Sequence, residues 1–175
     1  MGTDKPVITV LTLSYNSPSL EAAVDSVLAQ DYDNIQLIII DDHSERFDEN
    51  SLRGYITAKN RGNITELVIV RNQQNLGITA SSNEALRRAS GKYIVNLAGD
   101  DAFYDGRVIS DLYHEFEKTG AMIITGYREV YDSNLEKPQK IQPEPEYAEL
   151  VRSLSPGELF SAMEGFNFVL SLIHI

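Results

Sequence analysis

The sequence contains no cysteine, and this absence excludes disulfide bonds and thiolate metal sites. Its three histidines, His43, His114 and His174, stand far apart without ligand spacing, so we do not expect a zinc site. Basic residues are also scarce: the sequence has 15 Lys and Arg but 26 Asp and Glu, which gives a formal net charge of -11. A nucleic-acid or anionic membrane surface requires clustered positive charge, and we therefore expect neither as a partner.

Long hydrophobic runs are missing as well, and no apolar stretch is long enough to span a bilayer. The N-terminus, MGTDKP, leads directly into a predicted strand without the pattern of a secretory signal. The apolar and charged fractions, 42% and 23%, are those of an ordinary globular protein. We expect a cytoplasmic protein, with peripheral contact at the inner face of the membrane as the alternative.

Predicted strands alternate with predicted helices along the first part of the chain. Short apolar runs rich in β-branched residues predict the strands, and apolar stripes at helical spacing predict the helices. The strands fall at residues 7–13, 35–40, 66–70, 93–97 and 121–126, and the helices at 18–28, 51–58, 79–89 and 106–119, the first of them capped by Ser17. This alternation predicts a three-layer α/β/α sandwich with a mostly parallel sheet.

The character of the chain changes after residue 131, which separates an α/β domain at 1–131 from a shorter portion at 132–175. Residues 132–149 are polar and contain several prolines, so we expect irregular structure there. Ser155 and Glu158 have the spacing of a helix capping box. The apolar tail at 166–175 must pack on the core, mediate a homo-oligomer or continue into further chain.

Two of the predicted strands end in a pair of acids, Asp41-Asp42 and Asp100-Asp101. In a parallel sheet these ends share one edge, so four carboxylates can converge there. Convergent carboxylates suggest a divalent cation and acceptors for a ligand's donor groups. Turn formation and helix capping are the alternative interpretation of each pair.

Further polar residues fall at the same predicted edge. Tyr15 and Asn16 follow the first strand, where Tyr15 can either stack on a planar base or pack in the core. Asn75, Gly77 and Asn83 lie before and within the first turns of a helix, whose free N–H groups can approach an anion. An Asn-x-Gly turn is more often a tight connection alone.

A series of motifs, taken together, resembles the N-terminal half of a GT-A glycosyltransferase of family 2, over residues 7–128. The motifs occur in the family's order: Thr12-Leu13-Ser14-Tyr15-Asn16, Ser26-Val27-Leu28-Ala29-Gln30, Ile38-Ile39-Ile40-Asp41-Asp42-His43-Ser44, Asn75-Leu76-Gly77, Ala89-Ser90-Gly91-Lys92-Tyr93-Ile94 and Gly99-Asp100-Asp101.

The resemblance implies a nucleotide-diphospho-sugar donor, usually a UDP-sugar, bound with Mn²⁺ or Mg²⁺, and a glycan or other hydroxyl acceptor. Asp42 then corresponds to the acid that contacts the base, and Asp100 and Asp101 fall in the metal- and ribose-binding region. Tyr15 and Asn16 flank the nucleotide. The implied reaction is an inverting displacement in which a carboxylate takes the acceptor proton.

The sequence departs from the family pattern at Ala98, where many members have the first acid of the metal motif, and at Ser82, where an Arg is common. No Glu-Asp motif follows in the second half, so the catalytic base is unknown; we interpret Glu158 as a helix cap and Glu164 as a surface residue.

Two alternatives to an enzyme stay open. One is a non-catalytic nucleotide-sugar-binding or assembly module. The other is a phosphoacceptor domain of flavodoxin-like topology, which fits less well because its acid pair would follow the first strand.

Overall fold

The computed structural model describes residues 5–132, 137–155, 157, 158 and 161. Four strands form one parallel sheet in the order β3-β2-β1-β4. The elements follow each other as β1 (Ile8–Ser14), α1 (Leu20–Leu28), β2 (Ile35–Asp41), α2 (Glu49–Lys59), β3 (Ile64–Arg71), α3 (Ile78–Arg88), β4 (Tyr93–Ala98) and α4 (Val108–Thr119).

The position of each strand in the sheet follows from its sequence. Every residue of β2 is buried, which suits its nearly continuous apolar run IQLIIID between two neighbouring strands. The outer strands β3 and β4 mix buried with exposed positions. The central sheet is therefore built from two covered strands flanked by two partly exposed ones.

Helices cover both faces of the sheet. The larger apolar cluster packs α1, α2 and α4 on one face through residues such as Val24, Ile56 and Ile109. The smaller cluster packs Ala85 of α3 against Leu11, Ile38 and Ile40 on the other. These two clusters confirm the predicted three-layer α/β arrangement with a mostly parallel sheet. Among the described residues, no helix combines the length and apolar character that crossing a membrane requires.

The prediction of a fifth strand at residues 121–126 is wrong. This stretch has no regular secondary structure, and Met122 is 96% exposed. Its β-branched and apolar composition favours a strand, but a strand forms only where a neighbour supplies its hydrogen bonds, and none of the described strands pairs with it.

The prediction of irregular structure at residues 132–149 is also wrong in part. An antiparallel pair forms from β5 (Arg128–Tyr131) and β6 (Pro138–Gln142), and α5 (Pro145–Ser153) follows. Both prolines occupy positions that need no backbone donor: Pro138 is the first residue of its strand and Pro145 lies in the first turn of its helix. Proline content alone was therefore a poor guide here.

The chain divides into two compact units, Met1–Gly120 and Ala121–Ile175, whereas composition changes only after residue 131. Within the second unit, the Ser155 amide and hydroxyl both donate to a Glu158 carboxylate oxygen, at 2.9 and 2.6 Å, as expected for a cap. Glu164 and the apolar tail at 166–175 lie outside the described residues.

Candidate functional site

The carboxyl ends of the sheet strands lie together at one edge. Ser14 at the end of β1 pairs in register with Asp41 of β2, and Leu13 pairs with Ala98 at the end of β4. The chain runs outward from β1 to β3 and then returns to place β4 on the other side of β1. Ligands of open α/β sheets bind at such a switch point, outside the carboxyl ends of the strands.

Asp41 holds the turn that follows β2. It is fully buried, and its carboxylate accepts hydrogen bonds from the Ser44 hydroxyl and, at 3.0 Å, from the Ser44 amide. The Arg71 guanidinium lies 3.5 Å from the same carboxylate and also donates to the Ser44 carbonyl at 2.7 Å. Asp41 therefore joins the ends of β2 and β3 and does not face solvent.

Asp42 anchors the loop between β3 and α3. Its carboxylate accepts from the Leu76 amide at 2.8 Å, the Gly77 amide at 2.8 Å and the Asn72 side chain at 2.7 Å. Burial opposes ionisation of this group, which is 6% exposed, but the hydrogen bonds outweigh burial and hold its pKa below the ordinary value. Asp42 is thus an ionised structural acid within the described chain.

The loops after β1, β2 and β4 are hydrogen-bonded to one another. The Asn16 amide donates to the Ser44 hydroxyl at 2.8 Å, and the Ser17 hydroxyl donates to the Gly99 carbonyl at 2.6 Å. Ser17 does not cap the first helix as predicted, because α1 begins only at Leu20. A Cβ on Gly99 would lie 2.9 Å from the Leu13 carbonyl oxygen, so only glycine allows this close approach of the two strands.

Asp100 and Asp101 are in a different environment from the first acid pair. Asp100 is exposed in the turn after β4, and its carboxylate has no hydrogen-bond or ion-pair partner among the described residues. Asp101 is half-buried. Carboxylate oxygens are the ligand atoms that Mg²⁺ and Mn²⁺ prefer. One or two carboxylates together with substrate phosphates are enough to bind such an ion. These two residues therefore fit a divalent cation held jointly with a diphosphate.

The two acid pairs differ in the contacts that their carboxylates make. In the described part of the chain, no group of three or more acidic or histidine side chains is arranged to hold a metal ion. Of the four carboxylates expected at this edge, that of Asp41 is hydrogen-bonded within the turn after β2, and that of Asp42 is hydrogen-bonded to the loop after β3.

The remaining predicted residues lie around this edge to different degrees. Tyr15 is 56% exposed directly after β1, and Asn16 accepts from the Glu45 amide at 2.9 Å. Asn75 accepts from the Gly77 amide at 3.2 Å, within the loop that Asp42 anchors. Asn83 is exposed on α3, with no contact that joins it to the acids.

Several residues that build this edge of the sheet are not among the site residues predicted from the sequence. An open cavity of about 310 Å³ beside Asp42 is lined by His43, Arg71, Asn72 and Gln73. The Asp41 side chain accepts from the backbone amide three residues on, at Ser44, a local pattern that the sequence could have indicated. Nothing in the local pattern marks Asn72 or Arg71, because the acids that they contact lie at the end of β2, which is distant in the sequence.

The family description Glycosyl transferase family 2 matches residues 9–169 of the chain. The chain belongs to glycosyltransferase family 2. A putative teichuronic acid biosynthesis glycosyltransferase of Bacillus subtilis is 32% identical over 70% of the chain, and a putative colanic acid biosynthesis glycosyl transferase of Escherichia coli is 34% identical over 64%. The chain spans 47% and 39% of the lengths of these relatives.

Solved glycosyltransferases share the fold. The S. aureus TarS 1–349 structure in complex with UDP aligns with a TM-score of 0.56 at 20% identity, covering 74% of this chain and 39% of that one. A mannosyltransferase from Pyrobaculum calidifontis in complex with GDP-Man and Mn²⁺ aligns with a TM-score of 0.55 at 23% identity, covering 77% and 38%. The likeness confirms a GT-A fold for this family 2 chain.

Proposed function

We propose that this chain carries the donor site of an inverting, metal-dependent glycosyltransferase that uses a nucleotide-diphospho-sugar, with a UDP-sugar as the donor. The observation that supports the proposal most strongly is the exposed Asp100 carboxylate at the switch point between β1 and β4. Family membership supports sugar transfer, and the names of the bacterial relatives favour a growing polysaccharide as the acceptor.

In the proposed reaction, the acceptor hydroxyl oxygen forms a bond to the anomeric carbon while the bond from that carbon to the diphosphate oxygen breaks. The hydroxyl proton goes to a base, and the diphosphate leaves with the bonding electrons. A divalent cation, when bound, compensates the charge of the leaving diphosphate. Asp100 and Asp101 would hold that cation, and the exposed ring of Tyr15 would stack on the nucleobase.

The base is not assigned to any residue of the chain. Asp41 and Asp42 are unsuited to this role because both carboxylates are buried and hydrogen-bonded within the protein, Asp41 to its own turn and Asp42 to the loop after β3. A proton acceptor must lie within hydrogen-bond reach of the acceptor hydroxyl, and these two groups face the protein. The proposal therefore covers donor binding by this chain and leaves the acceptor side open.

Calorimetric titration of the chain with UDP, with and without Mn²⁺, tests the proposal. We expect Mn²⁺ to strengthen UDP binding, and Asp100→Asn to lower the Mn²⁺-dependent affinity by about tenfold or more because a metal ligand is lost. Asp33→Asn is the matched control, since it removes the same charge from an exposed residue that precedes β2 at the opposite edge.

Two outcomes of this titration would overturn the proposal. One is the absence of binding to UDP and to GDP, with or without the metal. The other is an equal loss of affinity in Asp100→Asn and Asp33→Asn, which would show that net charge and not a site at the carboxyl edge governs binding.

A further inference from the structure

The motif at residues 26–30, Ser-Val-Leu-Ala-Gln, lies at the far end of α1 and has no direct part in the donor site described above. Val27 and Leu28 are accounted for by the core. Core packing does not explain the two polar residues, Ser26 and Gln30, because apolar side chains fill a protein core. Their partners show a different use.

Gln30 is 5% exposed and makes three hydrogen bonds through its side-chain amide. Its nitrogen donates to the Ser26 carbonyl at 2.9 Å and to the Asp105 carbonyl at 2.6 Å. Its oxygen accepts from the Ile109 amide at 3.0 Å. One buried side chain thereby joins the end of α1 to the segment that connects β4 with α4.

The contact with Ile109 also caps α4. The N-cap residue of α4, Arg107, makes no side-chain capping hydrogen bond. The first N–H groups of a helix need partners from outside the helix. Gln30 supplies such a partner from the turn after α1, so the start of α4 is fixed by a residue that is distant in the sequence.

Ser26 holds the same segment closer to the acids. Its hydroxyl donates to the Ala23 carbonyl at 2.7 Å and accepts from the Phe103 amide at 3.0 Å. The Asp31 amide donates to the Gly106 carbonyl at 2.8 Å, and a Cβ on Gly106 would lie 2.8 Å from the Ala29 carbonyl oxygen. The segment 103–109, which we call the connecting segment, is thus tied at several points to α1 and to the turn that follows it.

Asp100 and Asp101 therefore lie between two fixed points. Upstream, the Gly99 amide donates to the Leu13 carbonyl of β1 at 2.8 Å. Downstream, Phe103 is held by Ser26. Only residues 100–102 separate the two, so the position of the acidic turn depends on both anchors.

We propose that Gln30 and Ser26 are positioning residues that hold the acidic turn in the geometry that binds a divalent cation with the donor diphosphate. This inference rests on the proposed function, since it assigns the cation to Asp100 and Asp101. Neither residue touches the ligand; both act through the connecting segment.

The matched control is Gln36, a second buried glutamine with three hydrogen bonds. It is 0% exposed, donates to the Arg88 carbonyl at 3.1 Å, and accepts from the Thr9 hydroxyl at 2.6 Å and the Ser90 amide at 2.9 Å. Gln30→Met and Gln36→Met remove equivalent polar contacts from the core. Only the first releases the connecting segment.

Calorimetric titration of UDP with and without Mn²⁺ is the first test. We expect Gln30→Met to lower the Mn²⁺-dependent UDP affinity about 10- to 100-fold, the range typical for partners that orient metal ligands, and to leave the metal-free UDP affinity unchanged. Gln36→Met should leave both affinities unchanged. Ser26→Ala should act in the same direction as Gln30→Met, and Ser26→Thr, which keeps the hydroxyl, should restore wild-type binding.

Amide hydrogen exchange on the metal-free chain gives a second reading that needs no ligand. In Gln30→Met, the Ile109 amide and the connecting segment should exchange faster, whereas Gln36→Met should accelerate exchange only around Ser90. The Ser26 variants repeat the test if Gln30→Met fails to fold.

The outcomes separate this inference from the proposed function. Absence of UDP binding by the wild-type chain overturns the proposed function and this inference with it. The positioning role alone is overturned in two cases, in both of which the wild-type chain binds UDP. In the first, Gln30→Met and Gln36→Met lose the same amount of Mn²⁺-dependent UDP affinity. In the second, neither Gln30→Met nor Ser26→Ala loses any.

Discussion

At the scale of single residues, Asp42 and Asp100 show how the same side chain takes different roles at one edge of a sheet. Asp42 accepts three hydrogen bonds from the loop after β3 and is nearly buried. Asp100 is exposed and unpaired among the described residues. The first stabilises the edge and the second is available to a ligand.

Asp42→Asn should destabilise the fold by about 1–3 kcal/mol near neutral pH, because the new NH₂ group would face N–H donors that the carboxylate now satisfies. Urea unfolding measures the change in the free energy of unfolding. Asp100→Asn is the control and should change stability by no more than about 0.5 kcal/mol, since the exposed carboxylate loses no contact. Equal effects would contradict the distinction.

The effect of Asp42→Asn should also depend on pH. The pKa of Asp42 is lowered from 3.8, so its ionised form contributes stability that is present above 3.8 and is lost as the pH falls through the lower folded-state value. The difference in unfolding free energy between wild type and variant should therefore be largest near neutral pH and shrink as the pH falls below 3.8. A difference that stays constant with pH would show that the charge of Asp42 does not stabilise its loop.

At the scale of elements, the loop between β3 and α3 depends on one backbone conformation. Gly77, the N-cap residue of α3, has φ 80° and ψ 167°, a region that is open only to glycine. A Cβ there would meet no atom within 4 Å, so any cost of a side chain comes from the backbone alone.

Gly77→Ala should destabilise the chain by about 1–3 kcal/mol, the usual cost of such a strained conformation, and thermal unfolding measures it. Gly54→Ala is the matched change within α2, where a Cβ also meets no atom within 4 Å and φ is not positive. It should instead stabilise the chain by about 0.5–1 kcal/mol. Stabilisation by both substitutions would show that Gly77 is not under conformational constraint.

The elements that the sequence predicts best are those with a strong period and a buried face. The predicted strand at residues 35–40 matches β2, and the predicted helix at 79–89 matches α3 to within a residue at each end. Residues 121–126 have strand-like composition without a partner, and composition does not report partners. The prolines of residues 132–149 predict irregular structure, yet Pro145 begins α5.

The sequence predicts the location of the candidate site, but not which of its acids is hydrogen-bonded within the protein and which is exposed. Acids at the ends of two parallel strands must share an edge, and the register places them there. The hydrogen bonds of Asp42 come from Asn72, Leu76 and Gly77, which belong to another loop. Likewise, nothing in the motif around Gln30 indicates that its partner is the start of α4.

At the scale of the whole molecule, strong negative charge and an anionic ligand have to be reconciled. A formal charge of -11 repels a nucleoside diphosphate at long range. In the proposed function, a divalent cation held by Asp100 and Asp101 would offset this repulsion locally, so we expect binding of UDP by this chain to depend on the metal.

Paramagnetic broadening of backbone amide NMR signals by Mn²⁺ in the presence of UDP tests the central claim most directly, because it locates the cation on the chain. We expect loss of the signals of Tyr15 and of Gly99 to Asp101, with the amides of Asn34 and Lys92 at the opposite edge unaffected. Broadening centred on the amino ends of the strands, or spread evenly over the acidic surface, would contradict a metal-dependent donor site at the carboxyl edge.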